Sequence, residues 1–179
     1  ASDVYKRQAR LAYALASPEN DVTLTDLAEL CDVFYIGGTK CGALFGEAVV
    51  IPQKGRIPHF FTIIKQHGAL LAKGRIAGIQ FGELFTDGLY QRIGKPAMEA
   101  AEQIKAALKK YGYQLSLDTP TNQIFCIVSN EVMKKIAQDV EFGFWEKYDE
   151  THSVIRFATS WATTMEDTQK LIQILEKNK

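Results

Sequence analysis

The sequence shows no excess of charge of either sign and no long apolar run, and each shortage excludes a class of protein. Its 179 residues contain 21 Lys and Arg against 21 Asp and Glu, so it lacks the basic field that drives non-specific binding to nucleic acid or anionic lipid. No run approaches the roughly 20 apolar residues that cross a bilayer, and the first residues lack the apolar core of a signal peptide. We therefore expect a soluble chain with a small-molecule partner and with neither nucleic acid nor membrane as a partner.

Cysteine is scarce as well. The sequence has three cysteines, Cys31, Cys41 and Cys126, and no CxxC pair. An odd number of cysteines without such a pair argues against a disulfide framework and against a zinc site. We expect no metal site, three small buried apolar side chains and a reducing, cytoplasmic location.

What the sequence does have is enough apolar residues, 46%, to form a real core. Residues 1–8 show no apolar periodicity and are expected to lie outside the fold, as an exposed tail or a foreign leader. The fold class predicted for the rest is α/β: residues 9–87 are the remainder of a larger α/β domain with part of its sheet. Residues 88–179 form a small C-terminal α+β domain, a three-stranded sheet with helices.

Local patterns place the elements of both domains. Apolar runs at 32–36 and 48–51 predict two buried strands, and 58–85 predicts one or two helices whose small residues allow close packing. A strong helical periodicity covers 97–111. Three strands follow at about 122–128, 142–148 and 154–159, and a capped helix begins at Thr163 or Thr164.

The most informative segment is Gly37-Gly38-Thr39-Lys40, a lysine in a glycine-rich turn at the end of a buried strand, where ligands lie in open α/β sheets. The spacing does not match a phosphate-binding loop of the Walker type. Burial between apolar strands would favour a neutral amine that forms a Schiff base with an aldehyde. Thr39 and the glycine amides could then hold phosphate oxygens. The alternative is an ordinary exposed turn lysine.

A second unusual residue is Arg156, which lies in the middle of an apolar strand. Strand alternation places it on the same face as Val154 and Ala158. A buried guanidinium needs an anionic partner. That partner is either structural, Asp149 or Glu150, or a substrate carboxylate bound by two parallel hydrogen bonds.

Several stretches together resemble the bacterial threonine aldolase and β-eliminating lyase family of fold-type-I pyridoxal-phosphate enzymes. They lie at residues 9–24, 31–40, 65–75, 120–123 and 155–161, so the likeness runs from Ala9 to the C-terminal region. The stretch around Gly37-Gly38-Thr39-Lys40 is the most specific of them.

The resemblance implies a cofactor, pyridoxal 5'-phosphate, and a role for four residues. Lys40 matches the lysine that binds the cofactor covalently, and residues 9–87 match part of the cofactor-binding large domain. Arg156 matches the arginine that binds the substrate carboxylate. Arg10 matches an arginine near both the cofactor ring and that carboxylate, and Thr39 is expected to approach the cofactor.

The implied reaction is cleavage of L-threonine or L-allo-threonine to glycine and acetaldehyde by a homodimer or homotetramer. Because Lys40 and Arg156 serve both reactions, β-elimination of another amino acid remains an alternative. Arg7 and Gln8 stand where the family has an aspartate that pairs with the cofactor's pyridinium nitrogen and a glycine. A cation there weakens the electron sink. We therefore expect the C-terminal part of an aldolase behind an unrelated leader, with an inactive oligomerisation fragment as a further alternative.

Overall fold

The computed structural model describes the backbone of residues 5 and 6 and all of residues 9–179. The chain divides into two compact units. The N-terminal unit takes the residues up to Leu15 and then Asn20–Ile93, and the C-terminal unit takes Ala16–Glu19 and Gly94–Lys179.

A small mixed sheet organises the N-terminal unit. Its elements in chain order are β1 (Tyr5–Lys6), α1 (Leu11–Leu15), α2 (Leu24–Leu30), β2 (Val33–Gly37), β3 (Glu47–Val50), α3 (Phe60–Gln66), α4 (Arg75–Phe85), a 3-10 turn (Thr86–Gly88) and α5 (Leu89–Arg92). The strand order is β1-β2-β3, with β2 parallel to β1 and antiparallel to β3. Tyr5 and Lys6 are thus part of the sheet, although the sequence pattern places them in a leader outside the fold.

The core of the N-terminal unit forms where β2 packs among short helices. Phe34 and Ile36 of β2 cluster with Leu11, Leu84 and Tyr90, all of them buried. Helix α2 begins at the predicted cap, where the Thr23 side chain accepts a hydrogen bond from the amide of Asp26 and Asp26 accepts one in return.

Two expectations for this unit are wrong. The second strand, β3, was expected to be buried, but its residues alternate between half-buried and exposed positions. Helix α3 contains no buried side chain. The close packing expected for 58–85 is therefore limited to residues of α4 such as Leu84.

The C-terminal unit is a four-stranded antiparallel sheet with helices. Its elements are α6 (Lys95–Lys110), β4 (Gln114–Leu117), β5 (Gln123–Ser129), α7 (Asn130–Ile136), β6 (Gly143–Lys147), β7 (His152–Ala158) and α8 (Met165–Lys177). The strand order is β4-β5-β7-β6. The predicted fold class is confirmed, with four strands in this sheet instead of three because β4 was not predicted.

The strands of this sheet present alternate residues to two faces. On one face Ile124, Cys126, Ile155 and Phe157 join residues of α6, α7 and α8 in the main core. On the other face Phe125, Ile127 and Val154 form a smaller buried cluster. Arg156 lies directly opposite Phe125 in the β5–β7 register. Strand alternation therefore places the charged Arg156 on the face of the sheet that carries the smaller apolar cluster.

Three global features complete the description. All three cysteines are buried and form no disulfide, as expected for small apolar side chains. Across the part of the chain that the structure describes, no helix combines the length and apolar character needed to cross a bilayer. Within the same residues, no three His, Cys, Asp or Glu side chains form a group that could hold a metal ion.

Candidate active site

Lys40 lies in the turn that follows β2. Gly37 is the last residue of the strand, and Thr39 and Lys40 form the exposed part of the turn. The predicted burial of Lys40 between two apolar strands is wrong, because β3 is half exposed and the Lys40 side chain lies at the surface. This exposure is what the alternative, an ordinary turn lysine, predicts.

The two glycines of the turn are required by the close approach of neighbouring chain. A Cβ at Gly37 would lie 2.6 Å from the carbonyl oxygen of Ala9, and one at Gly38 would lie 2.8 Å from the Cβ of Ala43. Such distances are far inside van der Waals contact, so a side chain at Gly37 would displace backbone and one at Gly38 would displace the side chains of Ala43 and Phe81. The carbonyl of Gly38 then closes the turn by accepting from the amides of Cys41 at 2.9 Å and Ala43 at 3.0 Å.

Two buried tyrosines bond the main chain at both ends of this turn, and sequence analysis missed them. The Tyr90 hydroxyl donates to the carbonyl of Gly37 at 2.8 Å, and the Tyr13 hydroxyl donates to the carbonyl of Lys40. They lie 53 and 27 residues from their partners along the chain, so no local pattern indicates either contact.

Arg10 lies next to the same turn through its backbone. The preceding residue, Ala9, packs against Gly37. The carbonyl of Arg10 accepts hydrogen bonds from the amides of Tyr13 and Ala14 at the start of α1. The structure thus brings Arg10, Thr39 and Lys40 into one region of the N-terminal unit. Arg7, where the family has an aspartate, lies outside the described residues.

The interior beneath the turn is apolar. Cys41 directly follows Lys40 and is 1% exposed. Burial raises the pKa of the Cys41 thiol to about 11, so the thiol remains neutral at physiological pH. Burial likewise raises the pKa of Tyr90 well above its usual range, so its hydroxyl stays protonated and continues to donate to Gly37.

Arg156 belongs to the C-terminal unit, where neighbouring side chains hold its guanidinium. Its Nη1 donates to Oε1 of Gln123 on β5 at 3.3 Å. Its Cζ lies 5.8 Å from the ring centroid of Trp145 on β6, within the range of a cation–π contact. Trp145 in turn packs edge-on against Phe125 at 5.0 Å between ring centroids. The strand partner Gly143 leaves space here, since a Cβ on it would lie 3.4 Å from Nε and Nη2.

The structural partners predicted for Arg156 are not found. Asp149 instead accepts hydrogen bonds from Thr151 and His152 in its own turn, which keeps the pKa of its carboxyl at about 2. Glu150 contributes its main-chain carbonyl to Asn130. Among the described residues, no carboxylate lies within 4.0 Å of the Arg156 guanidinium.

This leaves Arg156 with unused capacity for an anion. Its Nε is buried and has no hydrogen-bond partner among the described residues, and such an unpaired group costs free energy. Arg156 is one of the residues that line a cleft of about 400 Å³ in the C-terminal unit, together with Gly143, Phe157 and Thr159. The lining of this cleft also contains the acidic residues Glu141 and Asp167, so the capacity for an anion lies at the guanidinium and not in the cleft as a whole.

Comparison with known proteins gives these sites a family context. No protein-family model and no curated protein sequence matches the chain. Among solved structures, threonine aldolase from Leishmania major is 38% identical, with a TM-score of 0.93 over 98% of this chain. The resemblance to the threonine aldolase family is confirmed. The chain spans 51% of the length of that threonine aldolase.

Two more distant solved structures share the fold of this chain. Serine palmitoyltransferase from Sphingomonas wittichii is 10% identical, with a TM-score of 0.70, and the match covers 98% of this chain and 47% of that one. A structure of SPT with PLP as internal aldimine is 13% identical, with a TM-score of 0.61, over 86% of this chain and 41% of that one. At these identities the likeness concerns the fold alone.

Proposed function

We propose that the chain is part of a pyridoxal-phosphate-dependent aldehyde-lyase that cleaves L-threonine or L-allo-threonine to glycine and acetaldehyde. In this reaction the bond between Cα and Cβ breaks, the β-hydroxyl loses its proton and Cα gains one, so the atoms balance without an oxidant or reductant. The 38% identity to a threonine aldolase over nearly the whole chain supports this reaction class.

The single observation that carries the proposal is the presentation of Lys40. Lys40 is an exposed residue that follows Gly37, Gly38 and Thr39, on a turn whose main chain is fixed on both sides. A primary amine so placed fits a cofactor that carries an aldehyde. When bound, that cofactor supplies a sink for the electrons of the bond broken at the α-carbon.

The other residues contribute binding and orientation. Arg156 binds the amino-acid carboxylate, because its guanidinium is held by Gln123 and Trp145 but lacks an anion. Thr39 contributes a hydroxyl beside Lys40, and Arg10 contributes a cation from a segment whose backbone adjoins the same turn. Both suit contacts to the anionic groups of cofactor or substrate.

The parent enzyme is proposed to be a homodimer or homotetramer. Large apolar side chains of the N-terminal unit are exposed between residues 44 and 79, including Leu44, Phe61, Leu71 and Ile79, each at least 60% exposed. Exposed apolar side chains of one unit can be covered by a second copy of the chain.

A second candidate, an inactive oligomerisation fragment, is favoured by one observation. Arg7 occupies the position of the aspartate that pairs with the pyridinium nitrogen in the family, and a cation there opposes protonation of the ring. β-Elimination from another amino acid is also compatible with Lys40 and Arg156.

The test is to incubate the chain with pyridoxal phosphate, reduce with borohydride and map the modified peptide. We expect the label at Lys40 and its loss in Lys40→Ala, whereas Lys54→Ala, which removes another exposed lysine of the same unit, keeps it. Scattered labelling, or none, contradicts the proposed function for this chain.

Release of glycine and acetaldehyde from threonine, measured on the same samples, then separates the candidates. Labelling of Lys40 together with turnover of threonine supports the aldolase. Labelling without turnover of threonine or of β-substituted amino acids supports the inactive fragment.

A further inference from the structure

The Lys40 turn has a feature that its accessibility does not explain. Both ends of the exposed segment are bonded by hydroxyl groups from the core: Tyr90 at Gly37 and Tyr13 at Lys40. Tyr90 is 0% exposed and Tyr13 is 2% exposed. Two of the largest buried side chains of this unit thus direct their polar atoms at one surface turn.

The composition of the turn explains why such bonds matter. Gly37 and Gly38 are needed for the close approach to Ala9 and Ala43, but glycine gives a chain more conformations than any other residue. A lysine that reacts with one carbon of a bound molecule has to be held close to one geometry. A glycine-rich turn supplies the space without supplying the rigidity.

The two tyrosines supply that rigidity at the main chain. With the bonds from Cys41 and Ala43 to Gly38, the carbonyls of Gly37, Gly38 and Lys40 all accept hydrogen bonds. The Tyr13 bond is made to the main chain of the reactive residue itself, so it fixes the origin of the Lys40 side chain and leaves the amine accessible.

Tyr13 also couples the turn to the segment that carries Arg10. The amide of Tyr13 donates to the carbonyl of Arg10 at 3.1 Å, while its hydroxyl donates to the carbonyl of Lys40. One residue therefore holds the main chain of both cations of the N-terminal unit that the family resemblance singles out.

We propose that Tyr13 and Tyr90 are positioning residues that hold the main chain of Lys40 for reaction with an aldehyde. The proposal rests on the proposed function for the identity of that aldehyde. Each hydroxyl donates to a main-chain carbonyl of the turn, so both act on Lys40 through its main chain. The aromatic rings are buried in the core, and the hydroxyls donate hydrogen bonds to the main chain of the turn.

The test compares Tyr13→Phe and Tyr90→Phe with Tyr113→Phe in the otherwise unaltered chain. Tyr113 is the matched control because its hydroxyl also donates to a main-chain carbonyl, that of Leu175 at 3.0 Å, within the C-terminal unit. All three variants keep their rings and lose one hydroxyl. The first measurement is labelling of Lys40 by pyridoxal phosphate and borohydride, relative to Lys54 in the same chain.

We expect the ratio of Lys40 to Lys54 labelling to fall about fivefold in Tyr13→Phe and in Tyr90→Phe, the effect of losing one ordinary hydrogen bond. Tyr113→Phe should leave the ratio unchanged. If Tyr90→Phe does not fold, Tyr13→Phe carries the test alone.

A second measurement, amide hydrogen exchange at Cys41 and Ala43, needs no cofactor. Both amides donate to Gly38, so we expect them to exchange faster in the Tyr13 and Tyr90 variants and unchanged in the Tyr113 variant. If unaltered chain shows no preference for Lys40, the proposed function fails while the exchange data still test the positioning role. Unchanged exchange and an unchanged labelling ratio in both variants would overturn that role, even if both variants melt at a lower temperature.

Discussion

Arg156 is the clearest case in which one side chain's surroundings indicate its ligand. Arg156→Lys keeps the positive charge but loses the planar fork that forms two parallel bonds to a carboxylate. We expect it to weaken binding of glycine or threonine to the chain about tenfold or more, the effect of one charge-assisted hydrogen bond. Titrations followed by NMR, using the backbone amide signals of β7 that every variant retains, measure the dissociation constant.

Arg92→Lys is the matched control, because Arg92 is exposed and donates to the carbonyls of Gly88 and Asp87 in its own turn. Equal dissociation constants for the Arg156 and Arg92 variants would show that Arg156 does not bind the carboxylate.

For single residues, the sequence identifies the candidate functional side chains better than it identifies the groups that they contact. Lys40 and Arg156 stand out because a glycine turn and an apolar strand are unusual places for cations. Of the two alternatives for the partner of Arg156, the structural pair with Asp149 is wrong, since Asp149 is used by its own turn at Thr151 and His152. Tyr13 and Tyr90 could not be predicted, because their contacts depend on how distant segments pack.

Among the elements, the junction of β2 with the Lys40 turn tolerates change least. In Gly37→Ala the new Cβ would meet the backbone of Ala9 at 2.6 Å, and backbone cannot move aside as a flexible side chain can. We expect the free energy of unfolding to fall by about 1–3 kcal/mol. Chemical denaturation followed by far-UV circular dichroism measures this change in the free energy of unfolding.

Gly78→Ala in α4 is the control for this substitution. A Cβ there meets no atom within 4 Å, and alanine favours a helix over glycine, so we expect a gain of about 0.5–1 kcal/mol. A Gly37 variant as stable as the unaltered chain would mean that Ala9 does not lie against the turn.

Elements specified by local signals are predicted well. Helix α6 has a sustained apolar period, and α2 and α8 each begin with a capping box. Strand β4 was missed because it is a short edge strand with little burial. The exposure of α3 was missed because apolar periodicity predicts that a face will be buried but does not say what covers it.

For the molecule as a whole, the buried thiols predict how stability depends on alkaline pH. Burial raises the pKa of Cys41 to about 11 and of Cys126 to about 12, from an ordinary value of 9.0. Above about pH 9 the unfolded chain therefore loses thiol protons that the folded chain keeps. The free energy of unfolding should fall as pH rises, by up to about 1.4 kcal/mol per pH unit for each thiol.

Denaturant titrations at pH 8, 9.5 and 10.5 measure this slope. Cys126→Ala should lower stability at pH 8, because it removes a fully buried side chain, and should also flatten the slope. A variant that is less stable at pH 8 but keeps the full slope would show that the Cys126 thiol does not resist ionisation in the folded chain.

The absence of buried side chains in α3 has a consequence for proteolysis. Trypsin cleaves after lysine and arginine where the backbone opens locally, and few buried contacts resist opening between residues 52 and 75. We expect the first cuts there, at the exposed Lys54, Lys65 or Lys73, ahead of Lys105, which is 6% exposed and bonded to the carbonyl of Thr119. Mass spectrometry of early digests identifies the sites. Any partner that covers this segment would then be detected by the protection it gives, before its identity is known.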